Sequence, residues 1–257
     1  MKKHEDYFHS ELNVDLNRVI GDHTPFAVKE AYSALYTNVR YLPIKDKCRK
    51  IAVTSYYPGE GKTLVSINLA KTIAIASPES KVLVVDLDMR VPRLANVAGF
   101  KSDNPHGMSE YLANIDNEPN VQNNGLDNFF IVTAGARTAN ALGLLSSSRL
   151  KNFFEYCEDK FDYVIIDTPP VKLVSDAVLL SDHINGYIIS VRADYSDVNG
   201  VSDVISTLQS VKGVIFGTVL TCYNDKASSG YGRYGRYGRY GKYGRYGKYS
   251  KYSKYSY

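Results

Sequence analysis

The sequence contains few cysteines and no long apolar run, and both absences narrow the class of protein. The three cysteines are odd in number and form no C-x-x-C pair, which is typical of reduced thiols in a cytosolic protein rather than of a disulfide framework. The first residues, MKKHEDYFHSEL, lack the apolar stretch of a signal peptide. No apolar run approaches the ~18 residues that cross a bilayer. If the protein acts at a membrane, we expect another molecule to hold it there.

The last 28 residues, 230–257, contain no acid and almost no aliphatic side chain. Eight of the 31 lysines and arginines lie in this segment, so the remaining 23 face all 27 acids and give the rest of the chain a net charge of −4. A basic arm on an acidic body is typical of an interaction tail. Because this segment cannot build an apolar core, we predict that it is disordered. Its ten tyrosines lie mostly three residues apart, at Tyr231, Tyr234, Tyr237, Tyr240, Tyr243, Tyr246, Tyr249, Tyr252, Tyr255 and Tyr257.

Short apolar runs alternate with helical patterns along residues 24–227, which we predict to form one domain. A polar arm, residues 1–23, precedes this domain, and the tyrosine-rich tail, residues 228–257, follows it. The alternation predicts an α/β fold with a doubly wound, mostly parallel sheet, whose ligands bind at the carboxyl ends of the strands. The predicted strands are 51–54, 82–85, 129–133, 163–166, 187–191 and 214–220, and the predicted helices include 62–76, 144–156, 176–184 and 201–211.

Residues 55–63, SYYPGEGKT, join a predicted strand to a predicted helix and are typical of a phosphate-binding loop. Glycines let the backbone N–H groups approach phosphate oxygens, Lys62 reaches the β- and γ-phosphates, and the Thr63 hydroxyl binds Mg²⁺. Tyr56 replaces the usual first glycine, so the strict pattern is incomplete. The predicted nucleotide-binding residues are Pro58, Gly59, Glu60, Gly61, Lys62, Thr63 and Leu64.

Three acids follow predicted strands at the edge of the sheet where the loop lies. Asp86 and Asp88 end the second predicted strand. Asp167 directly follows the predicted strand 163–166, in the sequence VIIDTPP. An acid after an apolar strand is typical of a group that orders Mg²⁺ in phosphoryl-transfer proteins. The predicted metal site therefore combines Thr63, Asp86, Asp88 and Asp167.

These motifs together resemble the bacterial tyrosine kinases of capsule and exopolysaccharide synthesis, which have a P-loop NTPase-like fold. The resemblance covers about residues 25–257. It is carried by the loop at 55–63, by VVDLDMR at 84–90, by VIIDTPP at 164–170 and by the tyrosine-rich end. The combination is more specific than any of its parts.

The resemblance implies a role for each matched residue and for two cofactors, ATP and Mg²⁺. Lys62, Asp86 and Asp88 would be catalytic, and Thr63, Asp86, Asp88 and Asp167 would hold Mg²⁺. Asp86 is the implied base. Since a phenol has a pKa near 10 and a carboxylate one near 4, we expect Asp86 to orient the hydroxyl and to accept its proton late.

The resemblance also implies how the chain acts in the cell. It would autophosphorylate the tail tyrosines in trans within a homo-oligomer, and so regulate capsule or exopolysaccharide synthesis. A membrane-embedded activator, the polysaccharide co-polymerase, would recruit the cytoplasmic chain to the inner face of the cell membrane. A cognate tyrosine phosphatase would reverse the modification.

Two departures from the family pattern limit what the resemblance implies. In the helix before the loop, Glu30 of the E-x-x-R-x-x-R pattern is present, but Ser33 and Tyr36 replace the arginines that are tied to oligomer contacts. Thr221 stands where an asparagine often holds the adenine. The oligomer contact and the adenine contacts therefore stay unassigned.

Other classes of function stay open. A partitioning or septum-positioning ATPase shares the fold and the acids, but it carries a lysine where this loop has Tyr57. Such a protein would hydrolyse ATP on DNA or lipid without forming phosphotyrosine. Basic residues interleaved with tyrosine can also bind single-stranded nucleic acid. We do not expect nucleic acid as a partner, and a merely solubilising tail is a further alternative.

Overall fold

A seven-stranded sheet organises the part of the chain that the computed structural model describes, residues 18–100 and 106–223. The strands lie in the order β3-β4-β2-β5-β1-β6-β7, and all neighbours are parallel except the antiparallel pair of β3 and β4. The mostly parallel sheet predicted from the sequence is therefore confirmed. The strands are β1 Arg49–Ser55, β2 Val82–Asp86, β3 Gln122–Asn123, β4 Phe129–Val132, β5 Tyr163–Asp167, β6 Gly186–Arg192 and β7 Ile215–Thr221.

Helices cover the sheet, and two of the predicted ones differ from the structure. The helices are α1 Phe26–Arg40, α2 Lys62–Ala76, α3 Leu94–Val97, α4 Met108–Leu112, α5 Ala141–Leu145, α6 Ser148–Lys160 and α7 Val198–Ser210. The pattern at 144–156 proves to span the end of α5 and most of α6. None of the helices among the described residues is both long and apolar enough to cross a membrane.

The helix predicted at 176–184 is wrong, because side chains compete there for the groups that a helix would use. Only one 3₁₀ turn, Val178–Leu180, forms in this stretch. The Tyr187 hydroxyl donates to the carbonyl oxygen of Ala177 at 2.8 Å, and the Asp176 carboxylate binds Arg90. The Ala177 carbonyl oxygen, which an α-helix would use, therefore accepts from a side chain instead.

The strands divide their side chains between two apolar layers, one on each face of the sheet. Every residue of β2 and β5 is buried. Leu83 and Val85 pack into one layer and Val82 and Val84 into the other, as the two-residue period of a strand requires. Helix α2 is buried along most of its length in the second layer. Strands that are buried on both faces read as the continuous apolar runs seen in the sequence.

Helix α1 packs on α2 through a residue that the family pattern reserves for arginine. Tyr36 is buried, and its hydroxyl forms a 2.6 Å hydrogen bond with Ser77 Oγ at the end of α2. The residue therefore serves the core in this chain.

The register of the central strands brings their carboxyl ends together. Asp86 of β2 lies directly opposite Asp167 of β5, and Val53 of β1 lies opposite Asp167 from the other side. The loop after β1 and the acids after β2 and β5 therefore meet at one edge. Up to Thr221 the described residues form one unit. The division of the chain at residues 23 and 227 stays a prediction, and the tail tyrosines lie outside the described residues.

Candidate active site

The loop between β1 and α2 depends on two glycines and ends in an open helix terminus. Gly59 has φ +76° and Gly61 has φ +87°, conformations that residues with a Cβ rarely adopt. Gly61 is the N-cap of α2, and no side chain caps this end. The first N–H groups of a 15-residue helix are therefore left to bind an anion, as the sequence pattern predicts.

Two hydroxyl groups hold the carbonyl oxygen of Glu60. Ser190 Oγ donates to it at 2.5 Å from the end of β6, and Thr221 Oγ1 donates to it at 2.9 Å from the end of β7. In a trans peptide the C=O and the following N–H point in opposite directions. Fixing the Glu60 carbonyl on the outer side of the loop therefore aims the N–H of Gly61 inward.

The two preceding carbonyl groups are held in the same manner. Arg192 Nη1 donates to the Gly59 oxygen at 2.9 Å, and Tyr195 Oη donates to the Pro58 oxygen at 3.2 Å. By the same peptide geometry these contacts orient the N–H groups of Gly59 and Glu60. We call the residues that bind these three carbonyl groups the outer brace of the phosphate loop: Ser190, Arg192, Tyr195 and Thr221.

The Glu60 side chain contacts the loop and the segment after β6 and does not point at a ligand. Its buried carboxylate accepts the backbone N–H of Tyr57 at 2.8 Å and the hydroxyl of Ser196. Of the predicted nucleotide-binding residues, Leu64 also turns its side chain inward, towards the second apolar layer. Both residues therefore contribute to the loop through the backbone.

Lys62 and Thr63 begin helix α2 beside the acid of β5. Lys62 is 8% exposed. Thr63 Oγ1 donates to Asp167 Oδ2 at 2.6 Å. The other carboxylate oxygen of Asp167, Oδ1, is buried and has no hydrogen-bond partner. Burial raises the pKa of Asp167 to about 7, although Lys62 and the Thr63 hydroxyl favour its ionised form.

Asp86 at the end of β2 and Asp88 just after it accept backbone N–H groups of the turn that follows. Asp86 Oδ1 accepts from the N–H of Asp88 at 2.9 Å, and its Oδ2 accepts from that of Leu94 at 3.1 Å. Burial and the charge of Asp167 raise the pKa of Asp86 well above its ordinary value. Asp88 accepts from Val91 N–H at 3.0 Å, and burial raises its pKa as well. The structure thus brings all three predicted acids to one edge.

The arrangement fits a magnesium ion, although no three acid, histidine or cysteine side chains within residues 18–100 and 106–223 form a closed metal cluster. Mg²⁺ usually takes one or two carboxylates together with phosphate oxygens and water. The unpartnered Oδ1 of Asp167, next to the Thr63 hydroxyl, is the oxygen that such an ion requires. Asp86 is less accessible, because both of its oxygens already accept N–H groups.

One partly buried ion pair of the site was not expected from the sequence. Arg90 Nε and Nη2 donate to Asp176 at 2.7 and 3.0 Å, and Asp176 is 1% exposed. The pair ties the turn after β2 to the segment after β5. Arg90 belongs to a recognised motif, whereas no sequence signal marks Asp176. The hydroxyl groups at the ends of β6 and β7 were missed for the same reason.

Comparison with known proteins gives a consistent family. A family model described as an AAA domain matches residues 48–217. Tyrosine-protein kinase CpsD of Streptococcus pneumoniae (strain TIGR4) is 33% identical over 194 residues, which cover 75% of this chain and 83% of CpsD. Tyrosine-protein kinase Etk of Escherichia coli (strain K12) is 32% identical over 203 residues, which cover 79% of this chain but 27% of Etk. The chain therefore spans about a quarter of the length of Etk.

Solved structures agree with the sequence relatives. The kinase domain of the Escherichia coli tyrosine kinase ETK superimposes with a TM-score of 0.69 at 31% identity, over 81% of this chain and 84% of that chain. The septum site-determining protein MinD of Pyrococcus horikoshii, complexed with Mg-ADP, gives a TM-score of 0.55 at 24% identity, over 67% and 70%. The second likeness shows the fold alone.

Proposed function

The chain belongs to the family of bacterial tyrosine-protein kinases, and we propose that it transfers the γ-phosphoryl group of ATP to tyrosine hydroxyl groups. The observation that carries this proposal is the direct contact of Thr63, in the phosphate loop, with Asp167, whose second oxygen is buried without a partner. A loop with inward N–H groups and an acid beside it supports the binding of a nucleoside triphosphate with its cation.

In this proposal the loop binds the phosphates and the acids bind the cation. The N–H groups of Gly59, Glu60 and Gly61 and the Lys62 ammonium group would hold the phosphate oxygens. Thr63 and Asp167 would hold Mg²⁺, and Asp88, whose charge acts on Asp167, would complete the site through water. When bound, Mg²⁺ supplies neutralisation of phosphate charge. Lys62 supplies a further positive charge from the protein.

The acceptor step follows from the position of Asp86. The phenol oxygen forms a bond to the γ-phosphorus while the bond to the β–γ bridging oxygen breaks, and ADP leaves. The phenol proton passes to the carboxylate of Asp86 and then to solvent. Asp86 ends β2 at the edge where the loop and Asp167 lie, and we expect its carboxylate to orient the phenol hydroxyl and to accept the proton late. Alignment of the phenol oxygen with the γ-phosphoryl group supplies the remaining rate enhancement in this proposal.

The proposed acceptors are the ten tail tyrosines, from Tyr231 to Tyr257, phosphorylated in trans within a homo-oligomer. The support is their spacing in the sequence and the family of the chain. We further propose that the kinase regulates capsule or exopolysaccharide synthesis. A membrane-embedded activator would recruit the cytoplasmic chain to the membrane, and a tyrosine phosphatase would reverse the modification.

The test is to incubate the full chain with ATP and Mg²⁺, in parallel with Lys62→Met, and to map phosphotyrosine by intact-mass and peptide mass spectrometry. The same comparison is made in cells that contain the membrane partner, in case the isolated chain needs it. Phosphotyrosine in residues 230–257 that disappears in Lys62→Met is the expected result. ATP hydrolysis without phosphotyrosine in either setting would instead favour a septum-type ATPase.

A further inference from the structure

Three tyrosines lie together on the phosphate loop and the segment after β6, and we call Tyr56, Tyr57 and Tyr195 the tyrosine cluster. The rings of Tyr56 and Tyr57 meet edge to face with their centroids 4.5 Å apart. The ring of Tyr195 lies edge to face with Tyr57 at 6.4 Å. All three side chains are partly exposed. Tyr56 also packs against the apolar core, but each of the three rings keeps an exposed part beside the phosphate loop, which leaves a surface that a ligand can contact.

A lysine occupies the space over two of these rings. Lys172 Nζ lies 4.6 Å from the ring centroid of Tyr56 and 4.5 Å from that of Tyr57, and it donates to Tyr57 Oη at 2.9 Å. The lysine itself is exposed. The Tyr57 hydroxyl and the Tyr56 ring, both in contact with one ammonium group, form a site for a positive charge.

The site is built rather than accidental, because neighbouring residues leave room for the ring of Tyr56 and fix it. A Cβ on Gly200 would lie 2.3 Å from Tyr56 Cδ1, so only glycine allows the ring to lie on α7. The Tyr56 hydroxyl donates to the exposed carboxylate of Asp203 at 3.3 Å. This carboxylate adds a negative charge at the rim of the cluster, which also favours a cation.

The site lies beside the reacting groups along the chain and in space. Tyr57 is in the same loop as Lys62, and Lys172 follows Asp167 by five residues. The two segments are joined, because Val171 N–H donates to the Ser55 oxygen at 2.9 Å. A peptide that brings a tyrosine hydroxyl to this loop would place its neighbouring residues close to the cluster.

The chain carries a matching sequence. Within residues 230–257, eight of the ten tyrosines directly follow a lysine or an arginine, and the others, Tyr231 and Tyr257, follow glycine and serine. We propose that the tyrosine cluster is a subsite for the basic residue that directly precedes an acceptor tyrosine. Lys172 then holds the place of that residue until an acceptor peptide displaces it. This inference rests on the proposed kinase activity and adds a preference for basic–tyrosine pairs.

The test is a competition between two peptides in one reaction with the full chain, ATP and Mg²⁺. One peptide is built on residues 232–235 and has a single tyrosine preceded by arginine; the other has glutamine instead of that arginine. With equal starting concentrations and low conversion, the ratio of the two phosphorylated products, measured by mass spectrometry, equals the ratio of kcat/KM. Damage to the loop lowers both products equally, so the ratio reports the subsite alone.

We expect the wild-type chain to prefer the arginine peptide by roughly two- to fivefold, as a cation–π contact at a partly exposed site gives. Tyr56→Leu should bring the ratio close to one. Lys172→Gln should raise it, because the competing cation is gone. The matched controls are Tyr41→Leu and Lys151→Gln, which change an exposed tyrosine and an exposed lysine outside the cluster and should leave the ratio as in wild type.

The outcomes separate this inference from the proposed function. Equal phosphorylation of both peptides by the wild-type chain would contradict the proposed subsite and leave the proposed kinase activity unaffected. A product ratio that Tyr56→Leu leaves unchanged would do the same. A lower ratio in Lys172→Gln would also overturn it. If no peptide and no tail tyrosine is phosphorylated, the kinase proposal itself is contradicted. In that case the subsite is tested by fluorescence anisotropy with labelled forms of the two peptides. The subsite requires the chain to bind the arginine peptide roughly two- to fivefold more tightly than the glutamine peptide.

Discussion

Because two hydroxyl groups bind the Glu60 carbonyl, we predict that the effects of removing them on nucleotide affinity are not additive. Thr221→Val keeps the methyl group that lies near Gly61 and replaces the hydroxyl with a second methyl group, while Ser190→Ala removes the other donor. After either single change the carbonyl oxygen still has one donor. Each change then costs only the net value of one hydrogen bond, about 0.5–1.5 kcal/mol. If the lost hydrogen bond disturbs the binding conformation of the loop, nucleotide affinity falls roughly two- to tenfold.

The double variant has no donor left for this carbonyl. An unsatisfied buried acceptor costs about 1–3 kcal/mol, so the loss should exceed the sum of the single losses by about 1 kcal/mol or more. The assay is titration of a fluorescent ADP analogue into the four proteins, with thermal unfolding of each in parallel. Thr221→Ser, which retains the hydroxyl, is the conservative control and should bind as the wild type does.

Two results would refute this reasoning. Losses that add within about 0.5 kcal/mol would mean that the two hydroxyl groups act independently. A double variant with a lower melting temperature but unchanged nucleotide affinity would mean that they stabilise the fold without orienting the Gly61 N–H.

Three further predictions concern buried charges and thiols. Because the folded state raises the pKa of Asp167 to about 7, its protonated form stabilises the fold fully below pH 4, and this contribution is lost as the pH rises through 7. Asp167→Asn should therefore raise the melting temperature of the nucleotide-free protein at pH 8 and not at pH 4; an equal shift at both pH values would contradict this. Burial raises the pKa of Cys48 to about 12, whereas Cys222 is exposed, so a thiol reagent at pH 8 should label Cys222 first by peptide mapping. The Arg90 side chain is 30% exposed, whereas its partner Asp176 is buried. Arg90→Met leaves the Asp176 carboxylate without the hydrogen bonds from Arg90 and should cost about 1–3 kcal/mol in urea unfolding, and adding Asp176→Asn should restore part of that loss. A double variant no more stable than Arg90→Met would mean that the loss does not come from the unpaired Asp176 carboxylate.

The loop and the acids could be predicted from the sequence because their chemistry restricts residue type at fixed spacing. Gly59 and Gly61 have positive φ, and Lys62 and Thr63 follow them at the start of a helix. Asp167 follows an apolar strand that is buried on both faces. Such demands are local, so they appear in a short stretch of sequence.

The outer brace of the loop could not be predicted, because its members are ordinary polar residues far away in the chain. Ser190 and Thr221 lie 130 and 161 residues from Glu60. Their hydroxyl groups carry no pattern of their own, and only the strand order places β6 next to β1. Asp176 illustrates the opposite error, since a helical pattern around it concealed a carboxylate that Arg90 uses.

The strand order separates two kinds of mutational effect. On one side of β1, strands β5 and β2 end in carboxylates. On the other side, the ends of β6 and β7 carry the two hydroxyl groups that bind the Glu60 carbonyl. The effects found by saturation mutagenesis should therefore differ between the two sides of β1. Changes at the ends of β2 and β5 should abolish turnover while nucleotides still bind, and changes at the ends of β6 and β7 should alter affinity in graded steps. The acid side would tolerate almost no substitution, and the hydroxyl side would be the part of the site on which nucleotide affinity can be tuned.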